Sequence, residues 1–211
     1  MHKLLASQIQ EENKAMPITP AKGALCAAVS VATLAAAANA EDLLIVDLTI
    51  TNQVTITATS GLSSATVAGS DTTGVYLENF YGVAGGALTN ALMSGDLTNA
   101  ENPSDLSPRL LRGIAGADPG LNIWSFSSDS TVTFTAGSLA FVGSGTWSLS
   151  ASEYSDMLAG NTSGDLYFPA DTADDIANGA TLIGQWRVVP TPGAVSLAGL
   201  CGVGALRRRR R

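Results

Sequence analysis

From Leu44 the chain alternates with a period of two: Leu44, Val46, Leu48 and Ile50 fall on one side, Asp47, Thr49 and Thr51 on the other. Successive side chains point to opposite faces in an extended strand, so the pattern predicts a sheet with one buried and one wetted face. Val54, Ile56 and Ala58 continue it against Thr55, Thr57 and Thr59. A two-residue loop at Asn52 and Gln53 would set Thr51 opposite Val54 and mix the faces, so a three-residue loop over 51–53 fits better. Strand-like stretches bounded by Gly and Ser recur at 65–68, 74–81, 122–127, 131–135, 138–142, 145–149, 165–168 and 180–189. Within 74–81, Val75 and Leu77 stand against Tyr76, Glu78 and Phe80. Short strands at such intervals predict an all-β fold, a single β-sandwich or jelly-roll-like domain. One short helix, 151–158, is expected from the capping box of Ser150 with Glu153 and the stop at Gly160. The region 82–120, rich in Gly, Asn and Pro, shows no clear period; 87–93 reads as a short helix or a strand, and 107–112 as a turn of helix.

Charge and residue usage narrow the chemistry. Between Glu41 and Val189 sixteen acidic residues face Arg109, Arg112 and Arg187, a net charge of −13 without any lysine. Such a surface repels phosphate backbones and anionic headgroups, so no nucleic-acid partner is expected. Cys26, Cys201 and His2 all lie outside this stretch. Disulfides, thiolate or imidazole metal sites and Ser-His-Asp or Cys-His catalysis are thereby excluded from it. Carboxylates, Tyr, Ser, Thr and three arginines remain. No catalytic residue is assigned and no enzyme is expected, although two acids on facing elements would suffice for a glycosidase.

The two ends read as addresses. Residues 23–38 form a weakly apolar run ending in Ala38-Asn39-Ala40, and the small residues Ala38 and Ala40 suit signal peptidase cutting before Glu41. Met16 is an alternative start, with 16–22 as a compact basic leader. At the other end stand Pro190, Thr191, Pro192 and Gly193, an uncharged run over 193–206, and then Arg207, Arg208, Arg209, Arg210 and Arg211. As a helix the run would span roughly 21 Å at about 1.5 Å per residue, short of a hydrocarbon core of about 30 Å. The arginines stay cytoplasmic, placing everything before Pro190 outside. The chain thus divides into a leader and signal peptide (1–40), an exported domain (41–189) and a tail (190–211).

This order of proline motif, short apolar helix and terminal arginines resembles the PEP-CTERM sorting domain of exported bacterial proteins, in the form Val-Pro-x-Pro-Gly at Val189 to Gly193, with Thr191 where the namesake motif has Glu. The resemblance implies an exosortase-like membrane peptidase as partner, delivery to the cell surface or extracellular matrix, and association with exopolysaccharide.

Three candidate sites remain. Asp171, Asp174 and Asp175, with Asp165 and Asn178 near them, make the densest oxygen cluster; they suit a structural calcium ion or, equally, a capped helical turn. Trp124, Trp147 and Trp186 sit in similar strand contexts and serve either as core or as sugar-stacking platforms. Arg109 and Arg112 either meet an anionic ligand or neutralise neighbouring carboxylates. The expected role is structural or adhesive, with a carbohydrate-binding module or a carboxylate-dependent glycan hydrolase as alternatives.

Overall fold

The computed structural model describes residues 40–81, 86–103, 108–113, 118–125 and 131–189, the side chains of Trp124 and Ser125 excepted. Residues 1–39, which hold all of the expected signal segment except Ala40, and the whole tail 190–211 lie outside the described residues.

The first hairpin shows how alternation becomes structure. Strands β1 (Asp42–Asp47) and β2 (Gln53–Ala58) pair antiparallel with Val46 opposite Ile56 and Asp47 opposite Thr55. Leu44, Val46, Leu48, Val54 and Ile56 are buried to 1% exposure or less. The turn differs from the expected loop over 51–53. It closes over 50–53, with Gln53 N–H donating to the Ile50 carbonyl and Asn52 in the left-handed region at φ 59°. Asn tolerates that conformation, so the register lies two residues from the expected one. A shift of two leaves every face unchanged. It does put Ile50 at the tip, where it is 58% exposed rather than in the core.

Further along run β3 (Val67–Ser70), β4 (Val75–Leu77), β5 (Leu88–Ala91), β6 (Ser94–Gly95), β7 (Thr98–Asn99), β8 (Pro108–Arg112), β9 (Leu121–Ser125), β10 (Thr131–Phe134), β11 (Phe141–Val142) and β12 (Ser144–Ser148). Helix α1 (Ala151–Leu158), β13 (Ser163–Phe168), helix α2 (Ala173–Ala177) and β14 (Thr181–Val188) complete the chain. Helix α1 matches its expected bounds, and its capping box is made: Glu153 N–H donates to Ser150 Oγ while Ser150 N–H donates to Glu153 Oε2 at 2.6 Å. Several expectations are corrected. There are two helices among the described residues, not one, because Thr172 and Asp175 form a second capping box. Within the expected helical turn over 107–112, Pro108–Arg112 is the strand β8, pinned between β5 and β9. The stretch from Val75 ends at Leu77 because Asn79 takes φ 54° and turns the chain.

Ten strands form one sheet in the order β5-β8-β9-β4-β13-β14-β1-β2-β12-β6, all neighbours antiparallel except β1 with β14. The chain passes from β5, at one end of that order, to β6, at the other, through Leu92 and Met93 alone. Met93 N–H donates to the Thr146 carbonyl and Asn90 Nδ2 to the Ser148 carbonyl, each at 2.9 Å. The sheet is therefore curled until its ends meet, which removes most of the open edge that an extended sheet would expose. Its two halves face each other as the layers of an all-β, sandwich-like domain. Two-stranded ribbons, β3 with β10 and β7 with β11, supplement it.

Two bulges lie side by side where β1 meets β14. Register shifts between Asp42 and Leu44, and between the partners of Leu166 and Tyr167, turn consecutive residues inward, Leu43 with Leu44 and Ile183 with Gly184. Gly184 makes this possible, since a Cβ there would collide with the Leu43 side chain.

Candidate functional site

The three tryptophans part company. Trp147 and Trp186 are fully buried, so neither ring offers a face to a sugar. Trp147 Nε1 donates to the Pro108 carbonyl at 3.2 Å across the interior, and Trp186 packs against Phe80 with centroids 5.0 Å apart. Trp124 lies on β9 opposite Arg109. Arg112 is 3% exposed; its guanidinium stacks 3.6 Å above the Tyr81 ring and its Nε donates to the Asp118 carbonyl at 3.2 Å. It is thus a structural cation holding aromatic and loop together.

Outward-facing residues form a polar row across four strands. Glu78 stands opposite Asp165, its N–H donating to the Asp165 carbonyl at 3.0 Å. Asp165 is paired with Gln185 and Gln185 with Asp42. Gln185 Nε2 donates to Asp165 Oδ1 at 3.0 Å, and Arg187 closes the row with a 2.7 Å ion pair to Asp42. Directly opposed residues hold their Cβ atoms about 4.5–5.5 Å apart, so Glu78 and Asp165 are like charges in contact range. Burial, then Asp165, holds the Glu78 carboxyl above its ordinary range.

A second polar group surrounds Tyr76. Its hydroxyl donates to Asp118 Oδ1, which also accepts from Gly120 N–H at 2.9 Å. Gly120 lies flat against the Tyr76 ring, where any Cβ would clash. Asn122, opposite Tyr76 on β9, donates through Nδ2 to the carbonyls of Thr73 and Ala170 at 2.9 and 2.7 Å. Burial, followed by the Asp118 hydrogen bond, keeps the Tyr76 phenol protonated far above its ordinary range. Asp118 comes from the region with no sequence period and Asn122 from the strand-like stretch that follows it, and nothing in the sequence signals that Asn122 reaches the Ala170 carbonyl.

In the acidic cluster the fold keeps Asp171 beside Asp175 and leaves Asp174 apart. Asp175 Oδ2 accepts from Asp171 N–H at 2.9 Å and Thr172 N–H at 3.3 Å, capping α2. Those backbone bonds lower its pKa. Asp174 is exposed. Asp171 is half-buried, and burial, then Asp175, pushes its carboxyl up to about 6. Among the described residues no three His, Cys, Asp or Glu side chains are placed to hold a metal ion together.

The sign of the pH dependence follows. Asp171 holds its proton more tightly folded than unfolded, so its stabilisation is present at low pH and lost as pH rises through about 6. Asp175 acts oppositely, losing its contribution only as pH falls below the ordinary carboxylate range. The melting temperature should be higher at pH 5 than at pH 7.5, and Asp171→Asn should shrink that difference. An undiminished difference in this variant would assign the effect to the rest of the acidic surface.

One cavity, of about 70 Å³, is lined mainly by apolar side chains, among them Leu44, Val75, Ile123, Phe134 and Phe168, with Asp71 also on its wall. Among the described residues no helix is long and apolar enough to cross a membrane.

Fold and surface together define an acidic all-β domain built on one curled sheet. No family model, no curated protein and no solved structure matches the chain.

Proposed function

We propose that this domain is a structural or adhesive module, exported and delivered to the cell surface or extracellular matrix by an exosortase-type system, where it associates with exopolysaccharide. The observation that carries this reading is the coincidence of fold and signals. Glu41, the first residue after the expected signal-peptidase site, already accepts from Gln185 N–H through its carbonyl and from Leu62 N–H through Oε2, both at 2.8 Å. Val189, the last residue before Pro190, donates to the Val46 carbonyl at 2.8 Å. The sheet therefore uses the interval between the two addresses from one end to the other. A chain cut at both signals would keep every strand found among the described residues.

The alternatives draw less support. A carbohydrate-binding module using tryptophan would need Trp124, since Trp147 and Trp186 are sealed in the core. A hydrolase would use Glu78 and Asp165, but these stand on the outward face of the sheet, whereas the cavity lies among apolar residues such as Leu44, Val75 and Ile123. Glycosidic cleavage needs two carboxyls flanking the scissile bond in a cleft that holds the sugar and leaves room for the attacking water.

The test is an intact-mass measurement on protein recovered with the matrix polysaccharide of its native host. The expected species begins at Glu41 and ends between Pro190 and Gly193. Recovery of a chain retaining 193–211 would defeat the sorting claim, and absence from the polysaccharide fraction would defeat the adhesive one.

A further inference from the structure

We propose that the peptide bond between Asp118 and Pro119 is a self-cleavage site, at which the Asp118 carboxylate attacks its own main-chain carbonyl carbon and Arg112 stabilises the oxygen charge that develops. The two carboxylate oxygens stand in different surroundings. Oδ1 accepts from the Tyr76 hydroxyl and from Gly120 N–H, which fixes the group. Oδ2 is sealed from solvent without a hydrogen-bond partner. Buried acceptors in folded proteins are almost always satisfied, and an exception asks for a chemical reason. A carboxylate oxygen stripped of its hydration is a readier nucleophile than one in water.

The scissile bond is held on both sides. The Asp118 carbonyl accepts from Arg112 Nε at 3.2 Å, and that guanidinium, buried at 3% exposure, is itself fixed by stacking on Tyr81. The Pro119 carbonyl accepts from Tyr81 N–H at 2.8 Å. A buried cation already donating to the carbonyl oxygen stands where negative charge gathers once the carbon is attacked. Nucleophile and carbon belong to one residue, so their encounter is intramolecular. Pro119 supplies the leaving group, the ring nitrogen of a tertiary amide, and is half-buried, so water reaches it. A bond forms between Oδ2 and the carbonyl carbon, the bond from that carbon to the Pro119 nitrogen breaks, and Asp118 is left as a cyclic anhydride. The nitrogen takes a proton from water as it leaves, and the hydroxide so formed opens the anhydride to two carboxyl groups. One water is consumed and no other reactant is needed. The pieces stay together, because β8 remains paired with β9, β1 with β14 and β2 with β12 across the cut. A nicked domain thus remains one body under native conditions, and its two outer ends still report where the signals were cut.

The full chain is incubated for days, folded in buffer and unfolded in urea, and followed by intact mass under denaturing conditions. The folded parent should accumulate pieces 1–118 and 119–211, whose masses sum to the parent plus one water. Its rate should exceed that of the unfolded chain by about a hundredfold, the worth of one oxyanion donor. Asp118→Ala also loosens Tyr76, so Pro119→Ala is the deciding variant: it keeps the carboxylate and its hydrogen bonds but makes the leaving group a primary amine, and it should stay whole. A folded parent that stays whole would overturn the proposal. So would cleavage no faster than in urea, or cleavage at an equal rate in Pro119→Ala. Should that variant not fold, the ratio of folded to unfolded rates in the parent decides alone.

Discussion

A chain ending at Gly179 should show no cooperative unfolding, whereas one ending at Val189 should melt in a single transition. The missing strand, β14, lies in the middle of the ten-strand order and is hydrogen-bonded to β13 on one side and β1 on the other. Without it the strand order divides into β1-β2-β12-β6 and β13-β4-β9-β8-β5, with no ladder between the two. Ile183 and Trp186, both fully buried, leave with it. Truncating one buried Trp costs about 3–5 kcal/mol, and total domain stability is about 5–15 kcal/mol. Two new sheet edges add unpaired backbone to that loss. Thermal melting followed by near-UV circular dichroism decides the matter; a cooperative transition in the shorter chain would mean that the halves fold independently. The first strand thus waits for the last, and so long a loop closure makes slow folding the natural consequence.

Trp147→Ala should destabilise the domain by about 3–5 kcal/mol in urea titration. Its indole comes from β12 and reaches the Pro108 carbonyl of β8, strands at opposite ends of the sheet order. It therefore ties the curled sheet to itself. Gly145 makes room for it, a Cβ there meeting the ring at 2.5 Å. Removing the indole leaves a cavity and strips the buried Pro108 carbonyl of its donor. Trp147→Phe keeps most of the apolar contact and should cost roughly half as much. A loss below about 1 kcal/mol for the alanine variant would show that the ends of the sheet hold without this bridge.

What could be read in advance follows from the range of the interactions concerned. The alternation from Leu44 to Ala58 was legible because side-chain direction in a strand depends only on sequence position. The helix from Ala151 was legible because its capping box is made within four residues. Residues 107–112 were not, because Pro108 to Arg112 becomes a strand only through ladders to β5 and β9, and the pairing overrides a weak local preference. The candidate sites divide in the same way. Sequence spacing brought Asp171, Asp174 and Asp175 together; the fold keeps Asp171 against Asp175, which caps α2, and turns Asp174 to solvent. Trp147 and Trp186 had two readings until packing buried both rings.

By itself, then, the sequence determined an acidic, lysine-free β domain without thiol or imidazole chemistry between Glu41 and Val189, because composition and period are local properties. Only the tertiary structure decided that β1 lies beside β14, that the sheet curls until β5 and β6 meet, that Asp118 takes the Tyr76 hydroxyl and that Asn122 reaches the Ala170 carbonyl. Those placements depend on contacts between residues far apart in the chain. They are selected by burial and by the satisfaction of polar groups, neither of which is written in any short stretch.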